Sequence, residues 1–218
     1  MMTTNKLTKT FASGSLAIGV LAGAVLTATS ASAAMLTWAE WTNPDLTLRK
    51  DLIEGDKIVK YVGGSIGAED LDEVALVHMG DHYYFSYDAM DGPTQVNMGS
   101  GGSFTYTIEV TDPNKSIIGV DLDSTVSSDY GTVTETFAEI PETLVSLNGS
   151  PVPPSGFIPI APIKKLTVTN TLVNTNPGTE GLFDFQNSFH QSVPEPGTIL
   201  GLLAVGGLGL VSRFKKQK

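Results

Sequence analysis

The chain has no cysteine and only three histidines, so any chemistry it performs must rest on hydroxyls, imidazoles and carboxylates. Absence of cysteine excludes a thiolate nucleophile, a disulfide framework and a Cys-ligated zinc or iron–sulfur site. Gly63-Gly64-Ser65-Ile66-Gly67 fits the pattern Gly-x-Ser-x-Gly and follows a strand-like run. In a nucleophile elbow that serine occupies a sharp strand-to-helix turn of an α/β sheet, with a histidine and an acid brought in from later in the chain. Nothing here alternates strand with helix, so the segment reads as a glycine-rich turn leaving a strand. His78 and His82 flank Met79-Gly80-Asp81. On a helix the i, i+4 spacing would place both imidazoles on one face, but Gly80-Asp81 signals a tight hairpin. Positions flanking such a hairpin can still bring two imidazoles together beside Asp81 as a weak divalent site; a polar hairpin tip is the plainer reading.

Acids form the remaining groups: Asp70, Asp72 and Glu73; Asp88 and Asp91; Asp121 and Asp123. Calcium takes six to eight hard oxygens, often from Asp-x-Asp loops, which makes Asp121 and Asp123 the calcium candidates. None of the groups has EF-hand or repeat-in-toxin spacing, and solvated surface acids are the default. Calcium is therefore the one cofactor the sequence admits, and no other is expected. Paired carboxylates also serve glycoside hydrolysis, where their separation decides the outcome. Trp38, Trp41, Tyr83, Tyr84 and Tyr87 could offer sugar-stacking faces. Alternation puts Tyr83 and Tyr87 on one face with Phe85, so most of that run belongs to a core.

These side chains must be positioned by strands. Runs at 57–62, 74–78, 82–87, 103–110, 117–122, 132–140, 144–147, 165–173 and 182–189 are rich in Thr, Val and Tyr, the residues that pleated, half-buried surfaces favour. Phe104, Tyr106, Ile108 and Val110 alternate cleanly onto one face. No stretch of ten residues has a helical period; the best, 66–77, has room for one short turn. Eight or nine strands at this spacing predict an all-β fold, an antiparallel β-sandwich. The Pro-rich stretch 151–162 cannot be a central strand, because proline lacks the N–H donor. It reads as a rigid extended crossover to the last two strands. A short linker at 191–193 is expected to join the body to the tail.

The two ends of the 218 residues have a different character. Residues 1–34 read as a secretory signal peptide: Lys6 and Lys9, an apolar small-residue stretch, then Ala31 and Ala33, whose small side chains suit a signal peptidase cutting after Ala33 or one residue later. Near the other end, Val193-Pro194-Glu195-Pro196-Gly197 precedes an uncharged stretch carrying Thr198, Leu200, Leu202, Leu203, Val205, Leu208, Leu210 and Val211. Arg213, Lys215, Lys216 and Lys218 then close the chain. The stretch is slightly short of the roughly 20 residues that span a bilayer comfortably, and the basic cluster behind it should stay cytoplasmic. The ends carry +2 and +3, so residues 35–192 carry −15 where the whole chain shows −10. A pI near 4.6 argues against nucleic acid, whose phosphates require clustered Lys and Arg.

Pro194, Glu195 and Pro196, the apolar span and the terminal basic cluster resemble the tripartite PEP-CTERM sorting domain (193–218) of exported proteins in exopolysaccharide-producing Gram-negative bacteria. The resemblance implies recognition of the three motif residues by an exosortase, transient residence in the inner membrane, and release or re-attachment at the cell surface or in the extracellular matrix. The body, 35–192, resembles PEP-CTERM precursors with an early Leu-Ile-x-Gly-Asp-Lys, here Leu52-Ile53-Glu54-Gly55-Asp56-Lys57, then an aromatic strand, here 104–108, and a late Phe189. That pattern has a phenylalanine soon after Gly-Asp-Lys, where this chain has Ile58, Val59 and Tyr61. No activity attaches to it. The expectation is a non-enzymatic surface protein whose partners are signal peptidase, exosortase and the inner membrane. Binding of extracellular polysaccharide is the first alternative and an extracellular hydrolase the second.

Overall fold

A computed structural model of the protein describes residues 32–90, 95–152 and 157–192. Ala31, Asp91, the Pro194–Glu195–Pro196 motif, the apolar span from Thr198 and the basic cluster from Arg213 lie outside the described residues. In chain order the elements are β1 (Ser32–Thr37), α1 (Trp38–Thr42), β2 (Leu52–Glu54), β3 (Lys57–Ser65), β4 (Glu73–Met79), β5 (His82–Asp88) and β6 (Gly102–Val110). They continue with β7 (Ile117–Val126), β8 (Gly131–Phe137), β9 (Thr143–Leu147), β10 (Ser150–Val152), β11 (Ile158–Ile163), β12 (Lys165–Asn174) and β13 (Leu182–Gln191).

The strands form two sheets, one ordered β1-β4-β5-β13-β7-β11 and the other β10-β9-β8-β12-β6-β3-β2. Every strand pairing is antiparallel. The all-β expectation with two antiparallel sheets is met. All nine expected strands are present, and the described residues add four more. Two of the four, β2 and β10, have three residues each, too short to show alternation. β11 carries Pro159 and Pro162 and forms an edge of the six-stranded sheet, where a missing N–H costs no ladder bond. β10 is an edge of the other sheet, so the Pro-rich stretch does cross between sheets, but its flanks pair. β1 lies across the expected signal cleavage point; a cut after Ala33 leaves Ala34 opposite Leu76 and Thr37 opposite Glu73.

Period-2 alternation supplies the core. Tyr83, Phe85 and Tyr87 of β5 turn inward, as do Phe104, Tyr106 and Ile108 of β6. The two sheets meet through these rings, with Phe85 stacked on Tyr106 at 4.4 Å and Phe104 against Phe185 at 6.0 Å. The single described helix is α1, not the expected turn within 66–77, which is limited to Asp70-Leu71 ahead of β4. A reciprocal cap starts α1: Glu40 N donates to Thr37 Oγ1, and Thr37 N to Glu40 Oε2, both at 3.2 Å. Its i, i+3 spacing aims two indoles into the core, Trp38 against Phe104 at 5.4 Å and Trp41 against Phe85 at 5.2 Å. Both indoles are buried, so neither is a sugar-stacking platform.

One polar layer interrupts the apolar core. Asn170 of β12 and Asn187 of β13 exchange hydrogen bonds across the sheets at 3.0 and 3.1 Å. Beside Asn170 in the ladder lies Glu135, fully buried, with neither carboxylate oxygen making a well-formed hydrogen bond. Burial drives its pKa well above the ordinary value; the nearby Asn187 side chain opposes that and the Asp121 charge adds to it.

Candidate functional site

The densest polar chemistry gathers where β13 ends. Glu54-Gly55-Asp56-Lys57 turns between β2 and β3, with Gly55 at φ 56; a side chain there would also strike the Tyr83 hydroxyl. Lys57 is fully buried. Its Nζ donates to Asp56 Oδ1 at 2.9 Å and to Gln191 Oε1, and lies 4.1 Å over the Tyr83 ring. Tyr83 in turn donates to Asp56 Oδ1 at 2.7 Å. Burial works against the Asp56 charge, yet the hydrogen bonds from Tyr83 and Lys57 outweigh it and hold its pKa below the usual carboxylate range. Burial also lowers the pKa of Lys57 against the pull of Asp56. The Gly-Asp-Lys sequence is thus an internal clamp that grips the last residue of the last strand. The linker expected at 191–193 is corrected at its first residue: Gln191 belongs to β13 and is buried. Its N–H donates to Asp81 O, and Ser192 exchanges two 2.8–2.9 Å bonds with Ser116.

Next to this clamp, on the outer face of the six-stranded sheet, lies a cluster of two imidazoles and a carboxylate. The hairpin joining β4 to β5 has a two-residue loop, Gly80-Asp81, with Gly80 at φ 69. Its register pairs Met79 with His82 and His78 with Tyr83. Paired residues share a face, so His78 goes with the inward Tyr83, stacking on it at 4.3 Å, while His82 faces outward. The alternative that brings His78 and His82 together is therefore not formed. The partner of His82 is His190, directly opposite it on β13. The two rings stack at 4.5 Å and 22°. His190 Nε2 is hydrogen-bonded to Asp81 Oδ2 at 2.6 Å, and His82 Nε2 lies 3.2 Å from Asp81 Oδ1. Burial raises the pKa of Asp81, but the His190 bond and the two imidazoles more than compensate and hold it low. Phe157 closes one side, its ring edge-on to His190 at 4.6 Å. Gly119 gives it room: a Cβ there would collide with the Phe157 ring. Sequence reasoning missed His190 because it lies 109 residues from Asp81 and no local motif marks it.

The other sequence candidates separate. Ser65 ends β3, is exposed, and is followed by a turn into β4 rather than by a helix. Asp72 is fully buried, accepting from Tyr87 Oη at 2.5 Å, Glu69 N at 2.8 Å and Met90 N at 2.9 Å, so it braces the chain within the body. Asp88 stands opposite both Glu73 and Asp184 on its flanking strands; burial and then the Asp184 and Asp72 charges raise its pKa. Asp121 and Asp123 pair with Ser188 and Gln186 on β13. Among the described residues they join no cluster of three potential metal ligands; Asp81, His82 and His190 do. A recess bordered by Asp121, Leu144, Pro151, Val152 and Ile158 has room for little more than a water molecule. Among the described residues no helix is long and apolar enough to cross a membrane.

Comparison with known proteins bears on the C-terminus alone. Residues 192–216 match the PEP-CTERM protein-sorting motif, beginning one residue after β13 ends. A chain carrying that motif is an exported exosortase target, anchored transiently in the membrane. No curated protein and no solved structure matches the chain.

Proposed function

We propose that this protein is an exported, non-catalytic β-sandwich that an exosortase trims and delivers to the cell envelope or extracellular matrix of an exopolysaccharide-producing cell. The match at 192–216, seated directly behind the last strand, carries the reading. An exosortase then acts on a segment attached to a rigid support: Gln191 and Ser192 are hydrogen-bonded into the body. The net −15 of residues 35–192 keeps the released domain soluble by self-repulsion and suits it to cations or neutral polymers rather than to polyanions. The body supplies structure in this reading, and its polar clusters serve the fold. Two cuts are expected, one by signal peptidase near Ala33 and one by exosortase near Pro194. Intact-mass measurement of the form isolated from the cell surface tests both. The expected product lacks residues 1–33 and everything beyond the motif; a surface product that retains Arg213 to Lys218 overturns the proposal.

A further inference from the structure

The chain has three histidines, and the fold sets two of them face to face around one carboxylate. His82 and His190 occupy directly opposed positions on neighbouring strands, so their rings share the outer face, each with its Nε2 turned to Asp81. Asp81 places its two carboxylate oxygens between them. One donor atom from each residue can be chosen so that all three lie within 4.8 Å of one another. For a zinc ion held tetrahedrally at 2.0–2.1 Å, neighbouring donors sit about 3.3 Å apart. The two contacts use different carboxylate oxygens, His82 Nε2 lying 3.2 Å from Asp81 Oδ1 and His190 Nε2 2.6 Å from Oδ2. A single ion shared by the three residues needs the His190–Asp81 contact, 2.6 Å, opened by roughly 0.7 Å, and the stacked rings turned so that both Nε2 lone pairs converge on it.

We propose that Asp81, His82 and His190 form a divalent transition-metal site of the zinc class. Two imidazoles and one carboxylate suit Zn²⁺, Ni²⁺ or Cu²⁺, whereas Ca²⁺ and Mg²⁺ favour all-oxygen sets. Three protein ligands leave the fourth position to water, and all three are partly exposed, so the ion has a way in. The support is already built. The Asp81 carbonyl is fixed by Gln191 N at 2.8 Å, His190 lies within the β5–β13–β7 ladder, and Phe157 shields one side of both rings. Bound metal cross-links the β4–β5 loop to the strand end from which the sorting motif leaves, closing a span of 109 residues.

The test uses the purified chain without a histidine tag, stripped with chelator and titrated calorimetrically with ZnCl₂ and, separately, CaCl₂. Zinc is expected to bind one to one with a Kd of micromolar or tighter, and calcium at least a hundredfold more weakly. His82→Ala and His190→Ala each weaken zinc at least tenfold, while His78→Ala leaves it unchanged. Cobalt gives a readout independent of stability: a tetrahedral visible spectrum that either substitution abolishes. His82 lies on an exposed face, so its variant tests the site even if His190→Ala fails to fold. No zinc binding at 100-fold excess, zinc binding that survives His82→Ala, or calcium binding equal to zinc overturns the site. These outcomes depend on residues of the body and on no cleavage, so they stand apart from the fate of the tail.

Discussion

Lys57 and Gln191, 134 residues apart, are joined by a hydrogen bond inside the protein. The first corner of the seven-stranded sheet thereby holds the final residue of the six-stranded one. With Asp56 and Tyr83 it makes a buried hydrogen-bonded group centred on Asp56 Oδ1, while Asp56 Oδ2 has no partner. Replacing one partner of such a pair leaves the other charged and desolvated, which costs about 3–5 kcal/mol. Lys57→Met is expected to destabilise by about 3 kcal/mol in urea unfolding, near the lower end because Asp56 retains some solvent contact. The double variant Asp56→Asn, Lys57→Met should recover much of the loss. A double variant no more stable than the single one would refute the clamp.

Glu135 makes stability fall as pH rises. Folding raises its pKa well above the ordinary 4.5, so the folded protein keeps a proton that the unfolded chain releases. Its contribution is intact below the unfolded value and is lost as pH climbs through the folded one. Asp88, Asp121 and Asp184, also raised by burial, act in the same direction. Glu135→Gln should therefore gain stability relative to the parent as pH rises above the unfolded value, and flatten the slope without abolishing it. Parallel pH profiles for the two proteins would exclude the effect.

Asp72 accepts three hydrogen bonds, two from backbone N–H groups and one from the buried Tyr87 hydroxyl. Asp72→Ala strands those donors and should cost about 3 kcal/mol, the scale of hydrogen bonds to a charged acceptor. Tyr87→Phe, which removes only one of them, should cost less. Equal losses from the two changes would contradict the arrangement.

Ser65 and Gly64 separate a structural from a catalytic role for the Gly-x-Ser-x-Gly match. Gly64 has φ 103, and a Cβ there would press against Ser103 O of the paired strand. Gly64→Ala should lose more than about 1 kcal/mol, while Ser65→Ala stays within about 0.5 kcal/mol, as exposed changes do. Thermal melts of the two variants decide it, and a reversed order would count against the strand-end reading.

Legibility in the sequence followed the range of the interaction. Nine strands were readable because alternation is local: in 103–110, Phe104, Tyr106 and Ile108 announce their own buried face. The short edge strands β2 and β10 bury too little to leave a pattern, and the prolines that marked 151–162 as non-central also concealed β11. Trp38 and Trp41 looked like surface aromatics because a five-residue helix has no period to reveal that both point inward. The histidine cluster was half readable. Gly80-Asp81 signalled the hairpin and put His82 beside Asp81, but the two-residue loop sends His78 to the other face, and His190 enters only through the pairing of β13 with β5. The tail needed no fold at all, since its signal is a linear order of motif, apolar stretch and charge.

β13 lies in the middle of its sheet, hydrogen-bonded to β5 on one side and β7 on the other. Ribosomes make the amino terminus first, so β1, β4 and β5 are finished long before the strand that must stand between them and β7. The two halves of that sheet stay unjoined until residues 182–191 arrive, and the sorting motif is the next thing made. Closure of the sheet and arrival of the sorting address are therefore nearly simultaneous: a truncated chain lacks both its central strand and its address.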